Sequence, residues 1–253
     1  MHLLTALQNF KITLEYDGTA FYGFQRQPHH KTVQEALEEA LSKLFNQPLK
    51  IAAASSRTDA GVHAFGQVVN FFVKTKLSLF QIHNGLNRYL PYSAAVVKVK
   101  KVSKKFHARY SAKFKTYEYR IWNHRIRSPL YAASTLHVPY DLSLALMKQG
   151  AKRLIGKHDF RSFCAVDSST KDRDTVRTLK RFEVKKKGNL IQLVVEADGF
   201  LYHMVRNLAG ALIELGRGKI TLSDLDKILN RRDRKHACAT AQPQGLFLMD
   251  VTY

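Results

Sequence analysis

The sequence is organised around a short polar stretch, Ser55-Ser56-Arg57-Thr58-Asp59-Ala60-Gly61-Val62-His63-Ala64. It separates two apolar runs, 51–54 and 68–73, which favours a loop between two buried strands. In an extended segment residues i and i+2 project to the same side, so Arg57 and Asp59 can face one cleft together. A carboxylate held ionised by nearby cations can act as a nucleophile or base. The alternative is a surface turn in which Asp59 bonds its own backbone.

The charge of the chain restricts its partners. The 253 residues include 41 Lys and Arg against 20 Asp and Glu, a formal net charge of +21. The basic residues are spread along the chain, in runs at 98–105, 113–127, 171–187 and 231–235. A folded surface with this excess attracts a polyanion, and nucleic acid is the leading candidate. The alternative is a protein that is merely basic and soluble.

Several classes of protein are disfavoured. No apolar run approaches the roughly 18 residues that span a bilayer, and residues 1–7 lack the basic start and long apolar core of a signal peptide. Cys164 and Cys238 have no paired spacing, which suits a reducing, cytoplasmic compartment. The 11 histidines show no metal-ligand spacing, and no glycine-rich phosphate loop follows a strand. We therefore expect neither a bound metal nor a nucleotide cofactor.

Hydrophobic periodicity predicts an α+β protein with two halves, 1–105 and 106–253. The predicted strands lie at 10–16, 49–54, 67–73, 95–102, 115–122, 179–184, 190–197 and 245–253. The predicted helices begin at the capping box Thr32-Val33-Gln34-Glu35 and lie further at 79–88, 142–155, 202–215 and 223–230. Strands and helices in mixed order, with a hairpin at Lys187-Gly188-Asn189, favour α+β over a doubly wound parallel sheet.

A short pattern occurs in both halves. Glu15-x-Asp17-Gly18-x-x-Phe21 matches Glu196-x-Asp198-Gly199-x-x-Tyr202 in spacing. Four matched positions also arise by chance, so the pattern suggests a pseudo-twofold relation without establishing it.

Basic and aromatic residues alternate in two neighbouring runs, Phe106-His107-Ala108-Arg109-Tyr110 and 113–120. Basic side chains anchor phosphates, and aromatic rings stack on unpaired bases. The alternative is an ordinary strand with tyrosines in the core, which we expect for Tyr119 and leave open for Tyr117. Arg206 lies in an otherwise apolar helix, where it either extends to solvent, the more usual case, or pairs with a buried carboxylate.

Seven motifs occur in an order that resembles the tRNA pseudouridine synthase A family. They are Tyr16-Asp17-Gly18-Thr19 with Gly23-Phe24-Gln25, 32–35, 57–64, 115–120, Gly156-Lys157-His158-Asp159-Phe160, 198–206 and Gly245-Leu246. The resemblance extends from about residue 10 to residue 253. It implies two similar α/β halves that share a continuous, mainly antiparallel sheet, with helices packed on it and a central basic active-site cleft. It also implies a homodimer that binds tRNA.

The implied activity is that of a cofactor-free isomerase. Uridines 38, 39 and 40 of the tRNA anticodon stem-loop become pseudouridine when the N1–C1′ bond breaks and the base is rejoined through C5. By the resemblance, Asp59 is the catalytic aspartate, Arg206 its basic partner, and Tyr117 the tyrosine that stacks on the target uracil. It remains open whether Asp59 attacks C1′, adds to C6 or removes a sugar proton; we favour a base or nucleophile at the sugar.

Further residues are candidates for substrate contacts. Leu246 matches an apolar contact near the base, and Arg57 matches an arginine that helps to hold the flipped nucleotide; His63 and Arg109 are additional candidates. The alternatives are a non-catalytic RNA-binding module and the same isomerase acting on another RNA. A glycosidase would require a second catalytic carboxylate, and the sequence offers no persuasive partner for Asp59.

Overall fold

The computed structural model describes residues 6–165 and 174–253. Residues 1–5 of the N-terminal segment and residues 171–173 of one basic run therefore lie outside the described residues. The chain divides into two compact units. The first runs to Lys113 and includes Leu248–Tyr253, and the second is Phe114–Phe247. Residues 106–113 and the terminal residues thus belong to the first unit, whereas the sequence-based boundary falls between 105 and 106.

The first unit contains an antiparallel sheet and two helices. Its elements are β1 (Gln8–Tyr16), α1 (Val33–Phe45), β2 (Ala53–Ala54), β3 (His63–Val73), α2 (Leu79–Tyr89), β4 (Ala94–Val102) and most of β10 (Leu246–Thr252). The strand order is β4-β1-β3-β10, and β2 pairs with β3. Strand β1 has the predicted alternation, since its buried side chains include Phe10, Ile12, Leu14 and Tyr16.

The two helices of the first unit start at hydrogen-bonded caps. The Thr32 side chain accepts from the backbone N–H of Glu35 at the start of α1, as predicted. The Glu35 carboxylate accepts from Arg26, 3.1 Å away. A reciprocal capping box is instead present at α2, between Ser78 and Gln81. Helix α2 packs on α1 and β4.

The second unit has its own strands and three helices. Its elements are β5 (Phe114–Asn123), β6 (Leu136–Val138), α3 (Leu144–Arg153), β7 (Gly156–Asp159), β8 (Val176–Lys187), β9 (Leu190–Ala197), α4 (Met204–Gly216) and α5 (Leu222–Arg231). The strand order is β10-β5-β9-β8-β7, with β6 parallel to β5. Strands β5, β7, β8 and β9 pair antiparallel. Helix α4 is buried along most of its length and contacts α3 and α5.

Strand β10 belongs to both units, because Leu246 and Phe247 lie in the second and the remaining residues in the first. Through it the described strands form one ten-stranded sheet. This confirms the predicted α+β fold with a mainly antiparallel sheet. The basic active-site cleft stays a prediction. No helix among the described residues combines the length and apolar character that a membrane span requires.

Several predicted boundaries were wrong, and the strand expected at 179–184 is the longer β8. The strand expected at 49–54 is reduced to Ala53–Ala54, because side chains of α1 take the preceding backbone donors: Ser42 accepts from Leu49 N–H and Glu38 from Ile51 N–H. The strand expected at 67–73 begins earlier, at His63. Helix α3 begins at Leu144, because its cap is Ser143 rather than Asp141.

Candidate active site

The Asp59 loop connects β2 to β3 in the first unit. Its tight turn is closed by the backbone N–H of Val62, which donates to Asp59 O at 3.1 Å. Gly61 has φ +77°, a left-handed conformation that glycine adopts at low cost. Arg57 is exposed, Thr58 buried and Asp59 half-buried. This alternation is that of an extended segment, and it leaves the Asp59 side chain partly accessible.

The residue before Asp59 is held by two hydrogen bonds in the first unit. The Thr58 hydroxyl lies 2.7 Å from the Tyr16 hydroxyl, and Thr58 O accepts from Phe24 N–H at 3.0 Å. Gly23 has φ +85°, and a Cβ there would lie 2.8 Å from Thr58 O. The chain around Gly23 therefore approaches the Asp59 loop too closely to admit a larger residue.

His63 follows the loop as the first residue of β3 and is buried. Its Nδ1 accepts from the backbone N–H of Gly18 at 3.2 Å. Asp17 Oδ1 lies 3.2 Å from the same Nδ1. His63 thus ties the end of β1 to the Asp59 loop; a role in substrate binding stays a prediction.

Tyr117 lies on β5 of the second unit, opposite Val195 of β9. Its ring is buried and meets Phe200 edge to face, with ring centroids 5.0 Å apart. Tyr119, on the same strand, is fully buried and donates to Gln242 O at 2.7 Å. Burial raises the pKa of the Tyr119 phenol, and the nearby Arg206 charge opposes that shift. Tyr119 is therefore a core residue, as expected from the sequence.

Arg206 lies in the first turn of α4 and is half-buried. Its Nε donates to Ala241 O at 2.8 Å, and Ala241 N–H donates back to Arg206 O at 3.2 Å. These two bonds hold Nε of Arg206 and its backbone carbonyl on the segment that precedes β10. The next residue, Asn207, also binds this region: its side-chain oxygen accepts hydrogen bonds from Thr240 and Arg234.

The predicted site residues divide between the two units. The first unit carries Asp59, Arg57, His63 and Arg109. The second carries Tyr117, Arg206 and Leu246. Within the first unit one loop and the strand that follows it hold Asp59, Arg57 and His63 together. Arg109 is exposed, with its guanidinium over the Tyr110 ring, and Leu246 is buried at the start of β10.

Two residues that contact this loop, Tyr16 and Gln67, were not among the site residues predicted from the sequence. Gln67 opens an apolar run and is fully buried in β3. A polar residue directly before an apolar run was the feature of the sequence that could have indicated it. Among the described residues, no group of three or more His, Cys, Asp or Glu side chains is arranged to hold a metal ion.

Comparisons with known proteins assign the family. A family model described as tRNA pseudouridine synthase matches residues 12–111 and 151–253. The tRNA pseudouridine synthase A of Pseudoalteromonas atlantica is 43% identical over 240 residues, which cover 95% of this chain and 90% of that protein. The protein of the same name from Thermoanaerobacter sp. strain X514 is 42% identical over 247 residues, which cover 98% of this chain and all of that protein.

A solved Cbf5–Nop10–Gar1 complex gives a TM-score of 0.39 at 14% identity, over 81% of this chain and 45% of that chain. A match this distant adds nothing to the assignment. The family model and the two relatives suffice: the chain belongs to the tRNA pseudouridine synthase family. This confirms the resemblance found in the sequence motifs.

Proposed function

We propose that the protein isomerises uridine to pseudouridine in tRNA. The observation that carries this proposal is the similarity, over nearly the whole chain, to proteins named tRNA pseudouridine synthase A. The net charge of +21 supports it independently, because a polyanionic substrate is attracted to such a surface. The N1–C1′ bond breaks, a C5–C1′ bond forms, and a proton leaves C5 while N1 gains one. The reaction therefore needs no oxidant, reductant or second substrate.

The targets we propose are uridines 38, 39 and 40 of the anticodon stem-loop. A base within a stem must leave its stack, at a cost of a few kcal/mol, before a carboxylate reaches its sugar. Asp59 then acts as the nucleophile or base, Tyr117 stacks on the displaced uracil, and Arg206 pairs with the carboxylate and favours its ionised form. The half-buried position of Asp59 and the hydrogen bond from Arg206 Nε to Ala241 O support these roles.

The remaining assignments concern substrate contacts and assembly. Arg57 and Arg109 are exposed and can contact phosphate. Leu246 and His63 are buried, and we propose them as contacts of the flipped nucleotide. The protein acts as a homodimer in the cytoplasm.

A direct test of the function uses tRNA transcripts that carry uridine at one of the three positions and cytidine at the other two. We expect one pseudouridine per permitted position, located by mass spectrometry of nuclease fragments. Transcripts that bind but remain unmodified would identify a non-catalytic RNA-binding module. Pseudouridine formed only in another RNA would support the proposed reaction but contradict tRNA as the substrate.

A cluster of three lysines on the first unit predicts a salt-dependent contact with the RNA backbone. The β1–β4 register places Lys11 opposite Lys100 and Thr13 opposite Lys98, so the three ammonium groups share one face of the sheet. Burial, and then the charges of Lys100 and Lys98, lower the pKa of Lys11, while Asp250 acts in the opposite direction. Like charges opposite one another are unfavourable unless an anion lies between them.

We therefore expect Lys98→Gln/Lys100→Gln to weaken tRNA binding without changing which uridine is modified. The slope of log Kd against log salt concentration should fall by about 1.5, because two phosphate contacts are lost. The matched control is Lys43→Gln/Lys50→Gln, which removes the same charge from exposed positions in and after α1. Equal slopes for the two double variants would contradict a backbone contact at the cluster.

A further inference from the structure

Gln67 is a polar side chain that is completely buried in β3 of the first unit. Burial of an amide is costly unless its hydrogen bonds are made. Its Oε1 accepts from the Ser55 hydroxyl at 2.7 Å and from Ser56 N–H at 3.3 Å. Its Nε2 donates to Ser56 O at 2.8 Å. The amide therefore binds both main-chain polar groups of Ser56, three residues before Asp59.

The same amide contacts a second buried group. Gln67 Nε2 lies 3.5 Å from the Tyr16 hydroxyl, and that hydroxyl lies 2.7 Å from the Thr58 hydroxyl. Tyr16 and Thr58 are both buried. A continuous polar network thus runs from the amide in β3 through the last residue of β1 to the residue next to Asp59.

An irregularity in the sheet brings the two strands to this point. In the β1–β3 register Leu14 is opposite Gln67 but Tyr16 is opposite Ala64, so β3 contains one extra residue. Gly66 lies within this bulge, and a Cβ there would lie 2.4 Å from Met249 O, which only glycine avoids. Bulges redirect neighbouring side chains and are frequent next to active sites. Here the bulge lies between the two residues that support the loop.

We propose that the hydroxyl pair of Tyr16 and Thr58, backed by the Gln67 amide, positions the Asp59 carboxylate for catalysis. This inference rests on the proposed role of Asp59. Tyr16 and Gln67 contact the loop, Thr58 belongs to it, and all three side chains are buried, so they are positioning residues. A carboxylate that attacks or deprotonates a sugar must be held close to its productive geometry, and a displacement of about 1 Å can lower the rate about 100-fold.

The test compares variants that remove one hydroxyl and little else. We expect Tyr16→Phe and Thr58→Val each to lower the single-turnover rate on tRNA about 10- to 100-fold, with tRNA affinity changed less than about twofold. Thr58→Ser retains the hydroxyl and should stay within about threefold of the wild-type rate. The two hydroxyls share one hydrogen bond, and either substitution removes it. The Tyr16→Phe/Thr58→Val double variant should therefore be no slower than the slower single variant.

The control is Thr135→Val, which removes another buried hydroxyl, bonded to Tyr131 O at 2.8 Å in the second unit. It should keep the wild-type rate. Melting temperatures establish that each variant is folded at the assay temperature. Wild-type rates for Tyr16→Phe and Thr58→Val, multiplicative losses in the double variant, or equal losses in Thr58→Ser would each overturn the inference. An inactive wild-type protein would instead refute the proposed function itself.

Discussion

Asp59→Asn is expected to lower the rate of pseudouridine formation at least about 1,000-fold, while tRNA affinity changes only a few-fold. Asparagine has nearly the shape of aspartate but no negative charge. A nucleophile or a base at the sugar requires the ionised carboxylate. The turn that holds the residue is closed by the backbone of Val62 and Asp59, so the substitution leaves it intact. Single-turnover rates and equilibrium binding of the same tRNA measure the two quantities.

Asp141→Asn provides the matched control for this variant. It makes the same change at an exposed carboxylate that precedes α3, in the second unit. We expect the control to retain the wild-type rate. A wild-type rate for Asp59→Asn would remove the proposed catalytic role, and a combined loss of binding and thermal stability would make Asp59 a structural residue.

Elements with a strong local pattern were predicted well from the sequence. The apolar alternation of β1 and the Gly188-Asn189 turn between β8 and β9 are confirmed. Both signals are local: one is the period of a strand, and the other is the left-handed φ of +58° that Gly188 adopts. Tertiary packing reinforces these preferences and does not oppose them.

Elements that depend on distant partners were predicted less well. Residues 49–51 have the composition of a strand, yet their backbone donors are taken by Ser42 and Glu38 of α1. Glu38 is itself buried and paired with Arg26. No local pattern reveals that a helix side chain will compete with a neighbouring strand for the same N–H groups.

The same limit applies to the candidate site. The Asp59 loop was located by its position between two apolar runs, which is a local feature. The side chains that hold the loop were not located, because they are distant in the sequence. Tyr16 and Thr58 are 42 residues apart, and Tyr16 and Gln67 are 51 apart. Such contacts follow from strand pairing and from a bulge, and neither was evident in the order of residues.

The short pattern that occurs in both halves has the same residue spacing in each copy but different hydrogen bonds. Each copy spans the end of a strand, β1 in the first unit and β9 in the second. Asp17 accepts from Thr19 two residues later, whereas Asp198 accepts from Thr178 N–H on β8. The two aspartates thus occupy corresponding positions in the sequence but hold different parts of the chain.

Gly23→Ala is expected to be the most damaging of three glycine replacements that share one conformational cost. Gly23, Gly188 and Gly218 have φ values of +85°, +58° and +71°, so alanine is strained at each. That strain costs about 1–2 kcal/mol. A Cβ at Gly188 or Gly218 meets nothing within 4 Å, whereas at Gly23 it would lie 2.8 Å from Thr58 O and 3.1 Å from Ala60 N.

The difference between Gly23→Ala and the other two variants therefore measures the approach of the Gly23 backbone to the Asp59 loop. Denaturant unfolding should show losses of about 1–2 kcal/mol for Gly188→Ala and Gly218→Ala, with full activity. For Gly23→Ala we expect a loss of about 3 kcal/mol and at least a 10-fold lower rate, because the contacted atoms are backbone and the loop itself must move. Equal losses of stability and full activity in all three variants would mean that the loop accommodates the displacement, and that close packing behind Asp59 is not required for the reaction.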